Sequence, residues 1–379
     1  MTKINWSLGR LTPTVVDATS SVMSFSYTQG RQNYLDQYSG GTLSVTLKNQ
    51  NNIAQYFTFN STWELTDDIA TTGLAAQTFW CQDVTFNDYP GNTGLSTITV
   101  SLVDVLARNG RNVVANVVLT ERNTYGQLSD LWLTPAYQIG GCDFLGGSSN
   151  AAAITYSGSM LNYLNLIDQT EKGLIYLYDD AVVLIGRSYV ASSISGFSFT
   201  RNAPTTTAIS YSGIDHDLAG LNFMNNVTAS PNGLASQTAA FTESVNLYGN
   251  AEQTVSTVDA TTTQALGLAQ WLSRSQSDPD AQTWSISFQD IPQIPTAISK
   301  FLVTFYGIFG YQNRLWDLVY RVPGAGSDTT VLVAIEGIAV NASPEQTTFT
   351  VYFSPATYYQ FFTLNSSTLG ILNTSRLGW

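Results

Sequence analysis

Apolar and polar residues alternate through much of this chain. In Thr42-Leu-Ser-Val-Thr-Leu-Lys-Asn49, Leu43, Val45 and Leu47 fall on one side and polar residues on the other. That is the period of a half-buried strand, with Gly40-Gly41 as the turn before it. Gln77 to Phe86 and Leu95 to Val103 carry a similar β-branched and aromatic bias around the turn cluster Asn87-Asp-Tyr-Pro-Gly-Asn92. A short helix over Val103 to Arg108, ended by Asn109-Gly110, and a strand over Val113 to Leu119 complete this region. Glycine-rich Ile139-Gly-Gly-Cys-Asp-Phe-Leu-Gly-Gly-Ser-Ser149 reads as a linker.

Beyond it the period changes. Met160, Tyr163 or Leu164, and Ile167 share a helical face, Ser157 or Ser159 can cap its start, and Lys172-Gly173 closes it. Leu174-Ile-Tyr-Leu-Tyr178, the turn Asp179-Asp180 and Val182-Val-Leu-Ile185 then form a hairpin. Ala265, Leu268, Ala269 and Leu272 signal a second helix, stopped by Ser277-Asp-Pro279, whose Trp271 is expected to pack against the following strand, Thr283 to Phe288. After the connection Pro292-Gln-Ile-Pro295, the segments Phe301 to Tyr311, Asp317 to Val322, Thr330 to Ile338 and Gln346 to Phe353 read as strands. No fixed-period repeat is present, which excludes solenoids and propellers.

The expected fold class is therefore mainly β with small α/β insertions: β-barrel-like tube domains plus helix-hairpin units. A chain of 379 residues exceeds what one core usually serves. The expected division is an N-terminal barrel-like domain over 1–148, a helix plus hairpin unit over 149–200, an α/β unit over 201–290, and a C-terminal barrel-like domain and tail over 291–379.

Composition narrows the function. Charged residues make up only 11% of the chain, well below the quarter usual for soluble proteins, and Thr, Ser, Asn, Gln and Gly fill the gap. A neutral polar surface loses less on desolvation than a charged one, which suits a chain that covers itself with copies or partners; a secreted all-β domain or adhesin shares the bias. The formal charge of -12 gives nucleic acid no attraction. The longest apolar stretch, Phe301 to Tyr311, is too short and too interrupted to cross a bilayer. The N-terminus has no apolar h-region, so the chain is expected to be made and used in a cytoplasm, with Cys81 and Cys142 as free buried thiols.

Chemistry finds little support. His216 is the single histidine, which removes two-histidine metal sites and leaves a Ser/His/Asp arrangement one possible base. Its setting, Ile214-Asp-His-Asp217, reads as a turn. The carboxylate pairs Asp67-Asp68, Asp179-Asp180 and Asp278/Asp280 offer glycosidase-like spacing, but each sits at a predicted turn, where aspartate serves the backbone. No phosphate-binding glycine loop or nucleophile elbow is present. No catalytic, cofactor-binding or metal-binding residue is assigned, no cofactor is expected, and the expectation is a protein that is not an enzyme.

Taken in order, three segments resemble the tail-tip or baseplate-hub proteins of tailed phages, also called minor tail proteins. The first is Tyr27-Thr-Gln-Gly-Arg-Gln-Asn-Tyr-Leu-Asp36 followed by Gly40 to Asn49, similar to the family's Gly-Arg, Asp, then Gly-x-x-x-Val-x-Leu-x-Asn pattern; Arg31 and Asp36 are expected to pair across the turn. The second is Ser157 to Arg187, in which Asp168, Glu171, Gly173, Asp179 and Arg187 fall at the family's places. The third joins Leu221 to Thr228, Ser244 to Gly249, the Ala265 to Leu272 helix and Ser277-Asp-Pro279. The ending Ser367 to Trp379 resembles that of such proteins too. The polar stretch from Asn51 to Asp67 departs from the pattern as a candidate insertion. Arg31, Arg111, Arg187, Arg201 and Arg376 lie near predicted turns and mark no site.

The resemblance implies a virion protein at the tail tip, assembled in the host cytoplasm. It implies a homotrimer, each chain bringing two tube domains, that adapts the sixfold tail tube to threefold tip proteins. Its partners would be a distal tail protein or the tail tube above, spike or fibre proteins below, and the end of the tape measure protein. DNA would pass through the channel without specific binding, along a wall of Asp, Glu, Ser, Thr, Asn or Gln. Subunits are expected to meet through barrel edges and apolar segments such as Phe301 to Phe309. The alternatives left open are a distal tail ring or fibre-attachment protein, and a carbohydrate-binding or wall-degrading tail protein that stacks aromatics on sugars.

Overall fold

Alternation becomes one large sheet. Leu43, Val45 and Leu47 of Thr42–Lys48 are buried while Thr42 and Lys48 are exposed, and the same pattern recurs in its neighbours, because successive side chains leave a strand on opposite faces. The computed structural model describes residues 3–12, 14–69, 76–89, 95–132, 141–147, 149–192, 194–217, 223–278, 283–306, 314–322 and 324–359. The ending Ser367 to Trp379, Arg376 and Asp280 lie outside the described residues.

Among the described residues, 14 strands hydrogen-bond into this sheet. Its pivot is Thr329–Ala342. Along one edge, residues 329–334 of this strand pair Leu315–Tyr320 and residues 337–342 pair Val22–Gly30; Thr347–Pro355 lies on the opposite edge. From Val22–Gly30 the sheet continues through Thr42–Lys48, Thr97–Val103, Ala76–Asn87, Thr62–Asp67 and Trp6–Thr12. From Leu315–Tyr320 it continues through Ile194–Thr200 to Ala208–Ser210 with parallel pairing. Beyond Thr347–Pro355 come Thr283–Gln289 and Gly213–Asp217, both antiparallel. A single hydrophobic core joins residues of both halves, from Leu8, Phe25 and Trp63 to Phe288, Phe301 and Phe353.

Several expectations change here. The segment read as a strand over Phe301 to Tyr311 begins instead as the helix Pro295–Tyr306. Proline suits a first helical position, and Ala297, Ile298, Phe301 and Leu302 recur on one buried face. Phe301 meets Phe288, Phe349 and Phe199 with ring centroids 5.2, 5.5 and 6.0 Å apart. Phe301 and Leu302 of this segment are therefore spent on the chain's own core. Asn51 to Asp67, the candidate insertion, is built into the large sheet. It supplies a 3-10 turn, Ile53–Tyr56, and the strand Thr62–Asp67 between two others. Trp63 on that strand is fully buried and stacks on Phe57 at 3.8 Å.

The glycine-rich linker is also ordered structure: Gly141–Leu145 is a strand parallel to Ala181–Ile185. The short helix runs Val105–Arg111, through Asn109 and Gly110, because the buried Asn109 amide donates to the Val105 carbonyl one turn back. Met160–Glu171 forms as expected, with Ser159 accepting from the Asn162 amide and Lys172 ending it at φ 49°. Its hairpin, Leu174–Tyr178 and Ala181–Ile185, turns at Asp179, where φ is 52°. Helix and hairpin enclose a second core with Leu128, Trp132 and Tyr156.

A third core lies under Thr262–Ser275, which packs on the small sheet of Asn226–Pro231, Gln237–Ala240 and Glu252–Thr257. Trp271 belongs to this core, beside Tyr34 at 6.4 Å. Trp284, Ile286 and Phe288 of the following strand belong instead to the large core.

Candidate functional site

The residues singled out for chemistry do not converge. His216 lies on the strand Gly213–Asp217 rather than in a turn, its ring parallel to Trp284 at 6.0 Å and edge-on to Tyr320 at 5.5 Å. Asp68 accepts from the Asn5 amide at 2.8 Å, and Asp67 from the Ile69 amide at 2.9 Å. The Asp179 carbonyl receives the Gln77 side-chain amide at 3.0 Å, tying the hairpin turn to the large sheet. Cys81 is buried and Cys142 half-buried, both free, so the expectation of two buried thiols holds for the first alone. Burial pushes each thiol up to about 11. Among the described residues no group of three or more His, Cys, Asp and Glu is placed to hold a metal ion, and no helix is long and apolar enough to cross a membrane.

Arg31 is different, and neither its burial nor its partners were foreseen. It does not pair with Asp36, whose carboxylate instead receives the Asn33 amide. The chain end of Val22–Gly30 carries it inward, where it is 3% exposed. Its Nε donates to Glu336 at 2.8 Å and its Nη1 to Asp168 at 3.1 Å; Nη2 reaches the Gly173 carbonyl and the Tyr359 hydroxyl, each at 3.1 Å. Tyr359 in turn donates to Glu336 at 2.6 Å, and Ser354 donates to the same oxygen. The guanidinium also sits over the Tyr38 ring, 4.8 Å from its centre.

Glu336 occupies the register shift of Thr329–Ala342, where that strand leaves one partner and takes up Val22–Gly30. The backbones approach closely there: a side chain on Gly30 would overlap the Glu336 carbonyl, and φ at Gly30 is +85°. Burial would depress the Arg31 guanidinium, but Glu336, Tyr38, Tyr359 and Asp168 outweigh it and hold the group charged. Burial raises Asp168, against the pull of Arg31 and Lys172, and burial lowers the adjacent Lys172. The arrangement joins both halves of the large sheet to the helix-hairpin unit. Arg187 likewise serves packing, with its guanidinium 4.1 Å from the Trp271 ring.

The seam that Arg31 locks lies in the middle of a broad polar face. Eight strands in succession present it: Ala76–Asn87, Thr97–Val103, Thr42–Lys48, Val22–Gly30, Thr329–Ala342, Thr347–Pro355, Thr283–Gln289 and Gly213–Asp217. Cross-strand partners on this face are Thr85, Thr99 and Thr46, then Ser101, Ser44 and Ser26. Asn341 follows beside Ser26 and Thr348, and Ser287 beside Thr350. All are exposed or half-buried. Charges enter mainly at the margins, as Lys48, Asp83 and Asp215. Part of the face forms a trough of about 330 Å³ between Ser24, Ser44, Thr46, Asn341 and Thr348.

No family model matches the chain, and no curated protein matches it. Solved structures do. The 43 kDa tail protein of prophage MuSo2 from Shewanella oneidensis aligns with a TM-score of 0.60 and 12% identity, covering 94% of this chain and 98% of its own. The tail protein from Neisseria meningitidis MC58 aligns with a TM-score of 0.62 and 11% identity, over 93% and 97%. An E. coli component of the type VI secretion system, described as structurally similar to T4 bacteriophage tail proteins gp27 and gp5, aligns with a TM-score of 0.51 and 10% identity, over 88% and 73%. The chain thus has the mainly β fold of these proteins, among them two phage tail proteins, the group its motifs resemble.

Proposed function

We propose that this chain is a structural protein of a phage tail tip or baseplate, a hub whose hydroxyl-bearing sheet face lines the passage for DNA. The face carries the reading. A conduit for a polyanion works best when its wall neither binds phosphate, as clustered Lys and Arg do, nor repels it strongly. Rows of Ser and Thr on six of the eight strands, with Asn341 among them, meet that requirement, and the overall charge of -12 adds no phosphate-binding tendency. The neighbours described as tail proteins, and the one likened to gp27 and gp5, support the same role. A homotrimer would adapt the sixfold tube, through a distal tail protein, to threefold spike or fibre proteins, with the tape measure ending inside. The role is structural and not catalytic.

Placing lysines on the face tests this. Phage carrying Ser26→Lys, Thr99→Lys and Thr350→Lys together should assemble and adsorb but eject DNA more slowly, with the defect relieved by added salt, as expected for phosphate contacts. Ejection at the wild-type rate from such particles would remove the face from the DNA path.

A further inference from the structure

The polar face ends on two free strand edges. At one end, residues 83–87 of Ala76–Asn87 pair Thr97–Val103 on one side; among the described residues nothing pairs them on the other, since Thr62–Asp67 reaches only residues 76–80. At the other end, Gly213–Asp217 pairs Thr283–Gln289 and, among the described residues, no other strand. Each open edge is five residues long and lacks the proline or lysine that commonly blocks association at exposed edges. The first edge also bears Phe86, which is 55% exposed on the side away from the polar face.

Strand direction decides which edge can meet which. Every pair between these two edges is antiparallel, and eight strands is an even number, so the first and last run in opposite directions. A copy related by rotation about an axis along the strands presents its first strand antiparallel to its neighbour's last. The two edges then fit head to tail, the contact from which closed rings are built. We infer that residues 83–87 of one copy pair with Gly213–Asp217 of the next, so that the polar face continues from chain to chain.

Charge selects the register. Matching the two five-residue edges end to end sets Asp83 opposite Asp217. A slide of two residues keeps the two faces in phase, moves Asp83 away from that position and sets Asn87 opposite Asp215, a donor facing a carboxylate. The same register sets Phe86 opposite His216, whose ring already lies against Trp284 and Tyr320. The junction would therefore cover an exposed phenylalanine with aromatic surface.

This inference rests on the hub reading, and the experiment separates the two. Full-length Asn87→Cys and Asp215→Cys proteins, both exposed positions, are mixed and treated with a short bismaleimide, with the unmutated chain as control for Cys81 and Cys142. The mixture should give a cross-linked dimer joined through residues 87 and 215 by peptide mass spectrometry, absent from either protein alone. An oligomer by native mass that gives no such cross-link overturns the junction and leaves the hub role standing. A 41.2 kDa monomer at every concentration overturns both.

Discussion

Arg31 illustrates how a single side chain can organise this fold. Its partners come from the helix end at Asp168, the turn at Gly173, the pivot strand at Glu336 and the chain's late segment at Tyr359. Removing one member of a buried ionic cluster leaves the others desolvated without a counter-charge, which typically costs about 3–5 kcal/mol. Arg31→Met is expected to lower the urea-denaturation stability by that amount, whereas Arg111→Met, at an exposed position, should change it by less than about 0.5 kcal/mol. Equal, small effects from the two substitutions would show that the cluster adds nothing to stability.

At the scale of elements, the helix Val105–Arg111 is tied to the sheet by one carboxylate. Asp104 accepts from Ala107 at its N-terminus and from Gly41 at the start of Thr42–Lys48, at 2.9 and 2.8 Å. Burial pushes Asp104 up to about 7 despite those bonds. A carboxyl raised above its unfolded value of 3.8 holds its proton more tightly when folded. Its contribution to stability is then complete below about pH 4 and lost as pH rises through about 7. A difference of that size corresponds to at most roughly 4 kcal/mol. Between pH 5 and 8 the melting temperature of the wild type should fall relative to that of Asp104→Asn, and parallel pH profiles would contradict the assignment. Other elements follow their local signals: the Ser159 cap and the Lys172 ending of Met160–Glu171 were legible because capping and left-handed termination depend on neighbouring residues.

For the whole molecule, the decisive fact is that the central pairing joins distant parts of the chain. Val22–Gly30 is flanked by Thr42–Lys48 and by residues 337–342, and the large core draws on both halves. A fragment of residues 1–148 would lose that strand neighbour and leave Arg31 without Glu336 or Asp168. It is expected to aggregate or remain unfolded, and to be recovered by coexpression with residues 149–379. Circular dichroism and gel filtration would check this; cooperative folding of the fragment by itself would make the N-terminal half an independent domain.

Local information in the sequence determined the alternating strands, the Met160–Glu171 helix with its hairpin, and the neutral polar surface, because side-chain period, caps and turns act over a few residues. It also carried the ordered motifs that resemble phage tail proteins, whose fold the chain shares. Only the tertiary structure decided what became of Phe301 and Arg31. An apolar run that fits strand or helix is resolved by what it packs against, here the aromatic core around Phe288 and Phe349. A buried charge is resolved by partners such as Glu336, 305 residues away in sequence. The eight-strand polar face was likewise invisible as a unit, since each strand shows only its own polar residues, while their alignment across the sheet arises from registers between strands far apart in the chain.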